Sequence, residues 1–213
     1  MKSLQLQFIT HHTDRYTYAD SARMALEGGC RWIQLRIKDA TDDEVRPVAR
    51  QVQQWCRDCG ATFVLDDRVR LALELKADGV HLGRTDMPVE QARQVLGGQA
   101  IIGGTANTID DVVRLAHAGA DYIGCGPFRF TTTKQNLSPV LGLEGYERIL
   151  SSIRAAGIRL PIIGIGGITP ADIAPLRSIG LDGIALSGTV MRADDPVRAM
   201  RNIMQSISQD KQI

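Results

Sequence analysis

Between Pro161 and Gly188 the chain reads PIIGIGGITPADIAPLRSIGLDGIALSG, which holds a strand, a helix and a second strand. PIIGIGG and GIALSG are short apolar runs punctuated by glycine, the composition of buried strands. The segment between them has helical period. It opens at Thr169-Pro170, where a polar residue precedes the one residue whose fixed φ suits a first helical turn. A crossover of this kind is what two parallel strands require.

The same alternation extends outward to both ends. Upstream strands read LQLQFITH, WIQLRIK, TFVLDD, GVHLG, AIIGGTA and YIGCGP, each followed by an amphipathic stretch. Downstream, DDPVRAMRNIMQSI sets Val197, Met200, Ile203 and Met204 at helical spacing. Thr41 with Glu44 three residues on forms a capping box. The turns GGCRWIQL, KADGVHL, GADYIGC and GLDGIAL echo one another, either through ancestral duplication or because a glycine ending a helix is the usual chemistry of such turns. Eight βα pairs in series predict an α/β protein, a single-domain (β/α)8 TIM barrel over residues 1–213. An open doubly wound sheet is the alternative. In the barrel, the residues just beyond each apolar run converge on one mouth.

Composition narrows the partners. A length of 213 residues suits one core, and a net charge of +1 without runs of like charge argues against nucleic-acid or membrane surfaces. MKSLQLQFITHH lacks the apolar region of a signal peptide, and no segment approaches the roughly 18 apolar residues of a membrane span. The expectation is a cytoplasmic protein acting on small molecules, with self-association into a homo-oligomer left open. Cys56 and Cys59 form a C-x-x-C that reads as half a zinc site, a redox pair, or two helix-end thiols, and no second such pair completes a site.

The predicted mouth is polar in a particular way. GIGGI after strand seven brings Gly164, Gly166 and Gly167, and Ser187-Gly188 follows strand eight. Glycines let backbone N–H groups approach an anion, so these loops read as a phosphate cradle, although glycines also merely permit tight turns. Gln34, Arg36 and Lys38 alternate with Leu35 and Ile37, which sends the three polar side chains to one face. Burying Arg and Lys without a counter-charge costs several kcal/mol each, so those cations require an anion. GPFRFTTTKQN, Gly126 to Asn136, suits neither core nor helix, and offers Thr131, Thr133 and Lys134 to the same ligand. Asp66, Asp67 and Asp86 read either as ion-pair partners or as oxygen ligands for Mg2+ beside a polyphosphate. Asp42, Asp43, Asp110 and Asp111 read as solvated first-turn acids. His81 and His117 read as satisfied core or surface groups, and His11 and His12 receive no role.

Taken in order, Q-x-R-x-K, D-D, H-L-G-x-x-D, T-x-T-K, G-G-I and the Ser of S-G closely resemble the motifs of the thiamine phosphate synthase family, the thiamine-phosphate pyrophosphorylases. The resemblance covers nearly the whole chain. It implies a transferase that condenses hydroxymethylpyrimidine pyrophosphate with thiazole phosphate, giving thiamine phosphate and pyrophosphate by a dissociative, Mg2+-assisted displacement. Carried over by position, Gln34 would meet the aminopyrimidine, Arg36, Lys38 and Lys134 would hold the pyrophosphate, and Asp67 and Asp86 would ligate Mg2+. Thr131, Thr133, Gly167, Leu186 and Ser187 would contact the thiazole phosphate, and Thr105 would lie near the reacting methylene. Asp66 stands where the family usually has Asn, Arg84 where Gln is common, and Thr105 where a serine is usual. The expectation is that Arg84 offsets the charge of Asp66. The neighbouring reading is a thiazole tautomerase, but its histidine proton shuttle has no counterpart between Gly126 and Pro139. A phosphate-sugar epimerase would need metal-binding histidines placed differently, and a catalytically silent phosphate-binding barrel is the remaining alternative.

Overall fold

The computed structural model describes residues 5–131 and 138–209. Eight parallel strands close in sequential order: β1 (Gln5–Ile9), β2 (Trp32–Leu35), β3 (Thr62–Asp66), β4 (Gly79–Leu82), β5 (Ile101–Ala106), β6 (Tyr122–Cys125), β7 (Ile162–Gly164) and β8 (Gly183–Leu186). The seam runs from Gln5 opposite Gly183 to Phe8 opposite Leu186, which excludes the open sheet. Between and after the strands lie α1 (Tyr18–Glu27), α2 (Asp42–Asp58), α3 (Val69–Leu75), α4 (Val89–Leu96), α5 (Ile109–His117) and α6 (Gly142–Ala155). A 3-10 turn, Pro170–Asp172, then leads into α7 (Ile173–Ser178), and α8 (Gly188–Met191) and α9 (Pro196–Gln209) complete the described chain.

Local chemistry accounts for these starts. Thr41 and Glu44 cap α2 reciprocally, and Thr169 with Asp172 does the same for the 3-10 turn. Two further boxes, Thr17 with Asp20 and Thr108 with Asp111, cap α1 and α5. Asp111 is therefore a cap acceptor rather than a solvated acid, taking N–H bonds from Asn107 at 3.1 Å and Thr108 at 3.2 Å. Asp42 also departs from the solvated reading, because it pairs with Arg68 at 2.6 Å. The one-turn helix α8 was not separable in sequence from the last helix.

Strand alternation sorts the core into two compartments. Outward residues such as Phe8, Ile33, Leu65, Ile102, Ile123 and Ile184 pack beneath the helices. Inside the barrel, Tyr122, Ile163 and Ala185 pack with Trp32, Ile101 and Ile165. The Tyr122 ring meets Trp32 edge-on at 4.7 Å and lies flat against Gly103, where any Cβ would penetrate the ring. Gly124 leaves matching space for His81, whose Cε1 would lie 2.8 Å from a Cβ there.

The C-x-x-C is helical. Cys56 is buried in α2, with its thiol pushed up to about 12 chiefly by burial, and the Cys59 thiol donates to Trp55 O at 2.7 Å. The Cys56 environment therefore disfavours the thiolate that zinc or redox chemistry needs.

Gly103→Ala should overpack the barrel interior and cost about 1–3 kcal/mol in urea unfolding. Wild-type stability in that variant would show that the ring does not rest on this strand.

Candidate active site

The polar residues gather beyond the C-terminal ends of the strands. Gln34 lies in β2, and Arg36 and Lys38 continue past its last ladder residue, Leu35. Thr10 fixes this departure: its N–H donates to Gln34 O at 3.0 Å, and its Oγ1 accepts from Arg36 N at 2.9 Å. All three side chains then meet one carboxylate. Asp66 Oδ1 accepts from Gln34 Nε2 at 2.6 Å, while Oδ2 lies 3.1 Å from Lys38 Nζ and 3.4 Å from Arg36 Nε.

This corrects two expectations. Arg36 and Lys38 do share a face, but their counter-charges are the chain's own acids, so an unpaired cation there does not by itself call for a ligand. Arg84 is exposed and makes no hydrogen bond or ion pair with Asp66 among the described residues. The charge of Asp66 is offset from β2 instead.

Asp67 follows β3 in the left-handed region, φ 66°, with its N–H donating to His81 O at 2.9 Å. Its Oδ2 pairs with Lys38 Nζ, and its Oδ1 is buried without a hydrogen-bond partner. Asp86 stands beside it, with Oδ2 accepting from Gly83 N–H at 2.6 Å. Burial raises the Asp86 carboxyl above its usual range, as does the adjacent Asp67 carboxylate, against the opposing pull of Gly83 and Lys38. For Lys38, burial opposes the charged form, but Asp66 and Asp67 outweigh it and hold its pKa above normal. No group of three His, Cys, Asp or Glu side chains assembles a metal cage among the described residues. The Asp67–Asp86 pair is instead a two-carboxylate arrangement, the kind that suits a hard cation retaining water ligands.

Arg68 was not identified in sequence. Its guanidinium donates to Ile37 O at 2.8 Å, Ala40 O at 2.6 Å and Asp42 Oδ1 at 2.6 Å, so it clamps the loop that carries Lys38. An Arg one residue past an acid pair carries no periodic signal of such a role.

The floor is a hydrogen-bonded chain. Gln7 Nε2 donates to Tyr122 OH at 3.0 Å, that hydroxyl lies 3.0 Å from His81 Nδ1, and His81 Nε2 lies 2.9 Å from Thr105 Oγ1. His81 is a buried, satisfied histidine as expected, yet it also touches the threonine proposed to lie near the reacting centre.

Across the mouth, Gly166 and Gly167 adopt φ values of 87° and 71°. Their missing side chains admit the 127–130 segment, since a Cβ on Gly166 would lie 2.7 Å from Pro127 Cβ and one on Gly167 2.9 Å from Arg129 Cβ. Gly164 instead belongs to β7 and faces Leu181 and Ile168, away from the mouth. Phe128 is buried and its N–H donates to Ile165 O at 2.8 Å, so the start of the Thr-rich segment is pinned to the β7 loop rather than wholly unsuited to a core. Thr189 Oγ1 donates to Ile168 O at 2.7 Å and ties the two cradle loops together. Ser187 Oγ is buried without a hydrogen-bond partner.

Among the described residues, the predicted ones thus come together. Gln34, Arg36, Lys38, Asp66, Asp67 and Thr105 line the mouth from β2, β3 and β5, and Thr131, Gly167, Leu186 and Ser187 line it from β6 to β8. Thr133 and Lys134 lie outside the described residues. Arg192, not singled out in sequence, lines the same cavity.

Fold and site together define a parallel (β/α)8 barrel with a glycine-framed, partly cationic mouth suited to anionic esters. A family model described as thiamine monophosphate synthase matches residues 6–190. A thiamine-phosphate synthase from Phocaeicola vulgatus is 63% identical over 203 residues, covering 95% of this chain and 98% of that one. One from Bacteroides thetaiotaomicron is 61% identical over 201 residues, covering 94% and 96%. A solved thiamine phosphate pyrophosphorylase from Pyrococcus furiosus superposes with a TM-score of 0.84 at 35% identity, covering 97% and 96%. The chain belongs to the thiamine monophosphate synthase family, and it is a transferase with thiamine-phosphate synthase activity.

Asp86→Asn should remove the repulsion from Asp67 while leaving an oxygen for Gly83 N–H. In chelator, its melting temperature should rise by about 2 °C. A lower melting temperature would contradict the strained pairing.

Proposed function

We propose that the protein joins hydroxymethylpyrimidine pyrophosphate to thiazole phosphate by dissociative displacement at this mouth, in the cytoplasm, with Mg2+ as cofactor. The observation that carries the reading is the convergence of Gln34, Arg36, Lys38, Asp67 and Thr105 opposite the Gly167–Ser187 cradle. Two anionic substrates need separate anchorages within reach of each other, and the two sides of the mouth provide them.

The acids fit the cation. Asp67 Oδ1 is buried without a partner and the ionised form of Asp86 is disfavoured first by burial and then by Asp67, so a divalent ion held by the two would satisfy both. When bound there, Mg2+ supplies positive charge to the oxygens of the departing pyrophosphate.

The chain's own residues do the rest. Gln34 Oε1, buried without a hydrogen-bond partner, is an acceptor suited to the pyrimidine amino group. That amino group feeds electrons into the ring, so the exocyclic C–O bond breaks before the thiazole nitrogen attacks. Arg36 and Lys38 stabilise the leaving pyrophosphate, exchanging part of their bonding to Asp66 for bonding to its oxygens. Thr105, whose hydroxyl His81 holds, would hydrogen-bond near the reacting methylene. Thr131, Thr133, Gly167, Leu186 and Ser187 hold the thiazole phosphate. Lys134, which lies outside the described residues, would add a further cation to the pyrophosphate.

Mixing the two heterocyclic substrates with Mg2+ should give thiamine phosphate, and chelator should abolish it. Lys134→Ala should lower turnover more than tenfold, about 1.4 kcal/mol, with thiazole-phosphate binding nearly intact. Unchanged single-turnover rates would remove Lys134 from the mechanism.

A further inference from the structure

Among the mouth cations, Arg192 differs from the others. Arg36 and Lys38 are matched by Asp66 and Asp67, whereas the Arg192 guanidinium makes no hydrogen bond or ion pair with any described residue. Its position is nevertheless specific. Arg192 caps the C-terminal end of α8, yet its side chain folds back along that turn to Gly188, at the opposite end. A Cβ on Gly188 would lie 2.5 Å from Nη1 and 3.1 Å from Cζ. The guanidinium therefore occupies the space that this glycine leaves, next to Ser187, whose hydroxyl is buried without a hydrogen-bond partner.

Arg192 is itself exposed, so a ligand entering the cavity can reach its guanidinium, and the side chain carries its positive charge to the Ser187–Gly188 rim rather than away from it. The surroundings register that field: the His11 pKa is lowered first by burial and next by the Arg192 charge, ahead of Arg36 and His12. No carboxylate of the described chain pairs with this guanidinium, while the cradle glycines and Ser187 line the same cavity.

We propose that Arg192 is a specificity residue that closes over the phosphate of the thiazole substrate, adding a charged fork to a cradle otherwise built from backbone and hydroxyl donors. This rests on the reading of the Gly167–Ser187 side as the thiazole-phosphate subsite. A planar guanidinium recognises a phosphate ester through two N–H bonds at once, which an ammonium cannot reproduce. Arg192 therefore discriminates the phosphorylated thiazole from its free alcohol, and leaves recognition of the pyrophosphate to Arg36 and Lys38.

The test compares wild type, Arg192→Gln and Arg192→Lys. Steady-state assays use both substrates and the dephosphorylated thiazole alcohol, and calorimetry uses inorganic phosphate and pyrophosphate. In Arg192→Gln the KM for thiazole phosphate should rise about tenfold or more, with Arg192→Lys between it and wild type. The KM for the pyrimidine pyrophosphate should stay within about twofold, and kcat/KM for the thiazole alcohol should not change. Phosphate affinity should fall in parallel with the loss of thiazole-phosphate affinity. An unchanged KM for thiazole phosphate would overturn the assignment, as would a joint rise in both KM values or a selective loss of pyrophosphate binding. If wild type makes no thiamine phosphate, the catalytic reading fails by itself, and the phosphate titration of the three proteins still decides the role of Arg192.

Discussion

Everything at the mouth depends on the pairing of Gln5 through Phe8 with Gly183 through Leu186. Without that seam the first and eighth strands would be opposite edges of an open sheet, and the Gln34–Lys38 face would lie far from the Ser187 loop. Closure does two things together. It removes both sheet edges, leaving no exposed ladder to be covered, and it turns every strand end toward one rim. A closed interior must also be filled, which is why Tyr122, Trp32 and Ile163 occupy it and why Gly103 and Gly124 have no side chain.

On that rim, charge is balanced before any substrate arrives. Asp66 binds Gln34, Arg36 and Lys38, and Asp67 shares Lys38. Such pairing holds three flexible side chains on one side of the mouth, at the cost of a carboxylate that any anionic ligand must compete with. Asp66 is an acid, so the cations of this chain are preorganised by attraction rather than left to await the ligand. Arg68 reinforces the same loop from behind through the carbonyls of Ile37 and Ala40. On the cradle side Arg129 pairs with Asp172, whereas Arg192 stands there with its charge unmatched among the described residues.

The chain from Gln7 through Tyr122 and His81 to Thr105 connects the barrel interior to the reacting face. Gln7, Tyr122 and His81 are polar groups that could not be left inside the barrel unpaired, since a buried donor or acceptor without a partner costs about 1–3 kcal/mol. Their mutual bonds solve a packing problem and, as a by-product, fix the Thr105 hydroxyl. Core stability and site geometry are here the same set of contacts.

Much was legible from residue order alone. Period and punctuation set the eight βα units, the caps at Thr41 and Thr169, and the candidates Gln34, Arg36, Lys38, Asp67 and Ser187, because these signals are local and strand alternation decides which side chains share a face; Thr105 entered only through the family resemblance. Partnerships across the barrel were not legible. That Arg36 and Lys38 rather than Arg84 balance the charge of Asp66, that His81 reaches Thr105 and that Arg68 grips the Lys38 loop all depend on distances between residues remote in the chain. Such distances arise only when the strands close and the loops settle against one another, so no periodicity in the polypeptide records them.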